Sequence, residues 1–158
     1  MASHKTTLKQ AAFLKGMAEA HVAKLSALGY RVRFDEDQLI LAAGERSTHF
    51  YVLLSGSACV EVSTPVYTVC VQVINPGDAC GWSSLLYRQD TLFQVRAREA
   101  CTGLCWDGTQ LALACREDRE LGLAFSWRLL ELVAGRVRAT ESKLAEFCGA
   151  VALKNPCR

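Results

Sequence analysis

The stretch Pro76-Gly77-Asp78-Ala79-Cys80-Gly81-Trp82-Ser83-Ser84-Leu85-Leu86-Tyr87-Arg88-Gln89-Asp90-Thr91-Leu92-Phe93-Gln94-Val95-Arg96-Ala97 decides how this chain reads. It opens on Pro-Gly-Asp, a turn. Gly81 then allows positive φ or a close approach of backbone. Ser83-Ser84-Leu85-Leu86 can form one helical turn. Its N–H groups and hydroxyls suit an anion nest, and equally a capped short helix whose serines bond the backbone. Leu92 to Ala97 returns to a β pattern. A helical turn is thus enclosed between strands.

Outward from this segment, residues 30–108 read as β. Short runs occur at Tyr30–Phe34, Leu39–Leu41, Phe50–Leu54, Ala58–Val62, Val66–Ile74, Leu92–Ala97 and Gly103–Trp106. Turn signals separate them, including Ala43-Gly44-Glu45, Ser55-Gly56-Ser57 and Asn75-Pro76-Gly77-Asp78. Strands at about ten-residue spacing predict an antiparallel sandwich or barrel. Glu61 between Val60 and Val62, and Gln72 between Val71 and Val73, predict a sheet with one wet face.

Helix flanks this region on both sides. Residues 1–29 form an N-terminal helical segment, with apolar periodicity from Leu8 to Leu28 broken at Gly16, so two short helices are expected and Gly29 is the C-cap candidate. Residues 109–149 carry a short helix at Leu111–Cys115 and a long one from Asp118. In the long helix Leu130, Val133, Val137, Thr140, Leu144 and Phe147 follow the 3-4 spacing of a coiled-coil seam. Leu121 to Leu132 has apolar residues on several sides and suits packing on the chain's own sheets. Beyond Ala134 only a narrow seam stays apolar, which suits a partner helix, so a homodimer is expected. Residues 150–158 are a tail. The fold class is α+β: an antiparallel β-roll, jelly-roll-like (a double-stranded β-helix), with helices at both ends, forming one domain overall.

Composition narrows the function. The chain has 158 residues, 51% hydrophobic and 22% charged, with a net charge of +2. That charge is too small to argue for nucleic acid. No apolar run approaches the ~18 residues of a membrane span. No apolar segment follows Met1, so a cytoplasmic location is expected. The eight cysteines then read mostly as small buried hydrophobes. Cys101 and Cys105 lack a nearby histidine for zinc, and no metal is expected. His49 is the sole histidine in the β region, so a barrel metal site has too few imidazoles. No P-loop, Gly-x-Ser-x-Gly or Gly-x-Gly-x-x-Gly occurs, and no catalytic residue is assigned.

The order of elements, with Phe13-Leu14-Lys15-Gly16-Met17, Leu39-Ile40, Gly44-Glu45, Phe50-Tyr51-Val52-Leu53-Leu54-Ser55-Gly56, Pro76-Gly77-Asp78, Gly81, Val95-Arg96-Ala97 and Gly135-Arg136-Val137, resembles the cyclic-nucleotide-binding domain of the catabolite activator protein superfamily. Gly81-Trp82-Ser83-Ser84-Leu85 is similar to the cassette of short stand-alone bacterial members. The resemblance implies a non-enzymatic regulatory or sensory module. Its ligand site would comprise Gly81, Trp82, Ser83, Ser84, Leu85, Thr91, Leu92 and Phe93, with Thr140 placed where the family contacts the purine. The family's ribose glutamate and phosphate arginine fall at Trp82 and Thr91. An indole N–H donates only, and threonine carries no charge, so cyclic AMP or cyclic GMP binding is expected to be weak or absent. Arg88 and Arg96 are candidates for a substitute phosphate ligand. No cofactor is expected beyond a small nucleotide-like or anionic ligand. About nine residues after Gly149 leave no room for a helix-turn-helix, so DNA binding by this chain alone is not expected. Two alternatives remain: a ligand-free interaction module with its pocket filled by Trp82, Leu92 and Phe93, and a haem or thiol sensor using His49 and the cysteines.

Overall fold

The computed structural model describes residues 11–86 and 90–149. The expected helical start at Leu8, Arg88 and the tail 150–158 lie outside the described residues. Among the described residues, eight strands form two antiparallel four-stranded sheets. In the first, β1 (Tyr30–Phe34), β8 (Cys101–Asp107), β3 (His49–Ser55) and β6 (Ala79–Cys80) lie side by side in that order. The second runs β2 (Leu39–Leu41), β7 (Gln94–Ala97), β4 (Ala58–Ser63), β5 (Thr68–Ile74). Helix α1 (Glu19–Leu28) precedes the sheets, and α2 (Gly108–Glu117) and α3 (Arg119–Phe147) follow them. The architecture is α+β.

The apolar run at Phe50–Leu54 makes a strand buried on both faces, because side chains alternate along it. Phe50 and Val52 point to the helices, where they meet Phe13, Leu25, Leu121 and Phe125. Leu53 and Tyr51 point between the sheets, among Ile40, Val60, Ile74 and Val95. Helix starts are set by capping aspartates. Asp107 accepts from the amide of Gln110 at 2.9 Å, and Asp118 from that of Leu121 at 3.1 Å. Asp118 also pairs with Lys24 of α1, tying the N-terminal helix to the long one. These contacts hold the carboxyl of Asp118 below its ordinary range, the Lys24 hydrogen bond being the main cause.

Several expectations are corrected. The first N-terminal helix is only a 3-10 turn, Ala12–Leu14, among the described residues. Strand β6, two residues long, was not anticipated. Glu61 is buried rather than wet. The β4–β5 register shifts between Val60 and Glu61, and such a bulge breaks the in-out alternation. The carboxylate accepts from Gln94 Nε2 at 2.6 Å and from Arg96 Nε at 2.8 Å. Cys59 and Cys70 are joined by a disulfide rather than free. Cys80, Cys101 and Cys105 are free and buried, as small hydrophobes would be. On the long helix, Leu121 and Phe125 are buried, but Leu123 and Trp127 are exposed.

Gly29 does close α1, with its amide donating to Leu25 O at 3.0 Å, but its φ of −88° is not left-handed. Its reason is space: a Cβ there would stand 2.8 Å from the indole of Trp106. That indole is itself fixed, Nε1 donating to Leu25 O at 2.7 Å. Gly29→Ala therefore overpacks the α1–β8 junction. It should lower the unfolding free energy by about 1–3 kcal/mol in urea denaturation.

Candidate ligand site in the cassette

The cassette is positioned by β3. Strand β6 pairs Ala79 with Val52 and Cys80 with Tyr51. The chain then turns at Gly81, with φ +86°. A Cβ there would lie 2.3 Å from the carbonyl oxygen of His49, so glycine is required for both conformation and space. The 3-10 turn Trp82–Leu85 follows. Ser84 spends its amide and its hydroxyl on one acceptor, Gly81 O, at 3.0 and 2.7 Å. Ser84 thus bonds the backbone of its own turn, while the N-cap is Gly81 and no side chain caps the turn. The return limb is held by Gly44 N to Thr91 O at 2.8 Å and Phe93 N to Thr91 Oγ1 at 3.1 Å.

Between these limbs lies a half-open cavity of about 80 Å³. Gly81, Trp82, Ser83, Thr91 and Phe93 line it, over a floor of Leu41, Val60 and Val95. Cys80 and Arg136 complete the lining. Five predicted positions are thus brought together, and the others among the described residues are not. Ser84 is turned back on Gly81. Leu85 packs against the helix-side core. Leu92 is 82% exposed and does not fill the pocket. Thr140 donates its hydroxyl to Arg136 O of its own helix at 2.9 Å. Arg96 is engaged elsewhere, with Glu61 and with Asp37 O at 2.7 Å. His49 sits at the start of β3, with Nδ1 2.8 Å from Thr48 Oγ1. Among the described residues no group of three or more His, Cys, Asp or Glu is placed to hold a metal ion.

The residue that sequence reasoning missed is Arg136. It reaches the cavity from α3 and is only 9% exposed. Its Nε and Nη1 have no hydrogen-bond partner among the described residues. Burial lowers its pKa, and the neighbouring Cys80 opposes that. Arginine nonetheless stays protonated in proteins. Burial pushes the Cys80 thiol up to about 12, with Arg136 pulling it down. Cys80 is therefore a neutral thiol at pH 7 and cannot balance the guanidinium. A signal was present in the sequence: Leu121, Phe125, Leu129, Leu132 and Arg136 follow a 4-4-3-4 spacing, which puts an arginine on the sheet-facing stripe.

A family model described as the cyclic nucleotide-binding domain matches residues 31–118, more than half of the chain and all of the cassette. The chain belongs to the cyclic nucleotide-binding domain family. No curated protein is a significant match to the sequence. Solved structures share the fold. A putative cyclic nucleotide-binding protein from Geobacter metallireducens GS-15 is 20% identical, with a TM-score of 0.72 over 87% of this chain and 99% of that one. A cyclic nucleotide-binding domain from Methylobacillus flagellatus KT is 16% identical, with a TM-score of 0.76 over 92% and 83%. The regulatory subunit of a cAMP-independent protein kinase A from Trypanosoma brucei was solved as a triple mutant bound to cAMP. It is 17% identical, with a TM-score of 0.68 over 90% of this chain and 51% of that one. One of the three changes in that mutant is threonine to arginine.

The burial of Cys80 gives a direct check. At pH 8 the native domain should alkylate rapidly at exposed Cys148 and not at Cys80, read by peptide mass spectrometry. The sign for stability follows from linkage. The unfolded thiol ionises near its ordinary value of 9.0, while the folded one keeps its proton to about 12. This group's contribution should therefore be intact below pH 9 and be lost as pH rises towards 12.

Proposed function

We propose that this domain is a sensory module with a degenerate cassette, which does not take cyclic AMP or cyclic GMP in the family's usual way. The observation that carries the reading is where Trp82 and Thr91 fall. Both line the cavity, at the positions that the resemblance gives to the ribose glutamate and the phosphate arginine, and neither supplies a charge. The trypanosome subunit is a parallel: it is cAMP-independent, and its cAMP-bound form carries a threonine-to-arginine change. The two sheets would act as a β-roll, one unit with its helices. The test is calorimetry. Two charge-assisted contacts missing at roughly 1.5–3 kcal/mol each weaken a micromolar site to about millimolar. Wild type should show no binding of either nucleotide at micromolar concentration, and Trp82→Glu with Thr91→Arg should raise the affinity. Wild-type binding of cyclic AMP tighter than about ten micromolar overturns this reading.

Output would pass through α3, which pairs with a second copy of the chain. Leu130, Val137, Leu144 and Phe147 of the seam are exposed, and Val133 is half-buried. Leu123 and Trp127, also exposed, lie seven and three residues ahead of Leu130 and extend the same face. This stripe runs along the helix at heptad spacing, as a self-associating seam does. Val137→Glu should shift the sedimenting species from dimer to monomer. A wild-type monomer at tens of micromolar, about usual assay concentration, removes the dimer from the proposal.

A further inference from the structure

We infer that the cassette cavity is an oxyanion site whose anchor is Arg136 of α3, and that its ligand is a small phosphate or carboxylate rather than a cyclic nucleotide. This rests on the reading above for the place of the site and names the chemistry that fills it. A guanidinium that is only 9% exposed, with Nε and Nη1 unpartnered among the described residues, is a charge taken from water without compensation. Such a charge is costly to bury and is retained where an anion completes it. The surroundings do not complete it. Cys80 is a thiol at neutral pH, and among the described residues lining the cavity Arg136 is the one charged group. Arg136 also borders a second hollow, whose lining includes Gln72, Asp78, Arg128 and Glu131. None of these is a hydrogen-bond partner of Arg136 Nε or Nη1, and Glu131 pairs instead with Arg128.

The rest of the lining sets the ligand class. A planar guanidinium fork matches the oxygens of phosphate and carboxylate. Ser83 and Thr91 add hydroxyl-bearing residues at the wall, and Trp82, Phe93, Leu41, Val60 and Val95 supply an apolar surround. About 80 Å³ accommodates the acid group with a short body, and the half-open mouth lets a longer body protrude. The anchor comes from the long helix and not from the cassette. Ligand charge therefore acts directly on α3.

The test uses the whole chain in a chloride buffer at fixed ionic strength. Inorganic phosphate and propionate are titrated separately, with the thermal midpoint and the Arg136 Nε–H resonance as readouts. At least one anion should raise the midpoint saturably and shift that resonance downfield. A stronger response to phosphate identifies a phosphorylated ligand, and a stronger response to propionate a carboxylate. Arg136→Met should fold with a midpoint in chloride at or above that of wild type, because an unpaired charge is gone, and its anion affinity should fall at least tenfold. Arg136→Lys should keep a weakened response. Two results overturn the inference: no saturable response of wild type to either anion at tens of millimolar, or an Arg136→Met response equal to wild type. Should Arg136→Met fail to fold, the wild-type Nε–H shift and the Arg136→Lys titration still decide. Failure here leaves the degenerate-cassette reading standing, since that reading falls only on cyclic nucleotide binding.

Discussion

Three phenylalanine rings join the parts of this molecule into one frame. Phe50 of β3 is fully buried, with the ring of Phe13 at 5.2 Å and that of Phe125 at 5.5 Å. Phe13 and Phe125 are themselves 5.5 Å apart, edge to face. One ring comes from the N-terminal turn, one from the sheet and one from the long helix. Such pairs add about 0.5–1.5 kcal/mol each beyond the area they bury. Their consequence for the site is geometric. From Phe125 to Arg136 is eleven residues, close to three turns at about 3.6 residues per turn, so both side chains leave the same face. Seating Phe125 on Phe50 therefore aims Arg136 at the cassette. The other limb of the site depends on the same strand, since Gly81 turns against the carbonyl of His49, next to Phe50.

Much of this was legible in the sequence, for reasons that can be named. Strands β1 and β2 begin and end where apolar and β-branched runs meet turn signals, at Tyr30–Phe34 and Leu39–Leu41. The long helix begins at its capping Asp118. What failed did so where a local pattern was overridden by tertiary structure. Glu61 looks like the wet position of an alternating strand, but a bulge and two partners from β7 bury it. Two-residue β6 is too short to show any period. Its pairing to β3 is a long-range fact.

The cassette shows the same division. Its turn residues and short helix could be read from Pro76, Gly77, Asp78 and Gly81. Which side chains face the cavity could not, because a 3-10 turn places neighbouring residues on different sides. Trp82 and Ser83 line the cavity, Leu85 joins the core behind it, and Ser84 closes on Gly81. Arg136 is hard to single out in the sequence because it lies beyond Ala134, where charged residues surround a narrow apolar seam. Its spacing from Leu132 and Phe125 identifies it as a member of the buried stripe. An arginine on such a stripe is the kind of local conflict that marks a functional position.

The proposed oxyanion site and the proposed seam lie on two faces of one helix, α3. One face carries Phe125, Leu132 and Arg136 towards the sheets. The other carries Trp127, Leu130, Val137 and Leu144 outward. A ligand shifts a conformational equilibrium only by its differential affinity for the two states. Here that difference has a physical source. With the cavity empty, docking the distal half of α3 buries an unbalanced guanidinium, which opposes docking. An oxyanion in the cavity reverses the sign of that contribution, because the same burial now strengthens a charge pair. The helix backbone transmits the change, since Val137 is the next residue after Arg136 and cannot stay in place when its neighbour moves. If the proposed oxyanion fills the cavity, it would favour the docked helix, and through Val137 that preference would reach the outer seam.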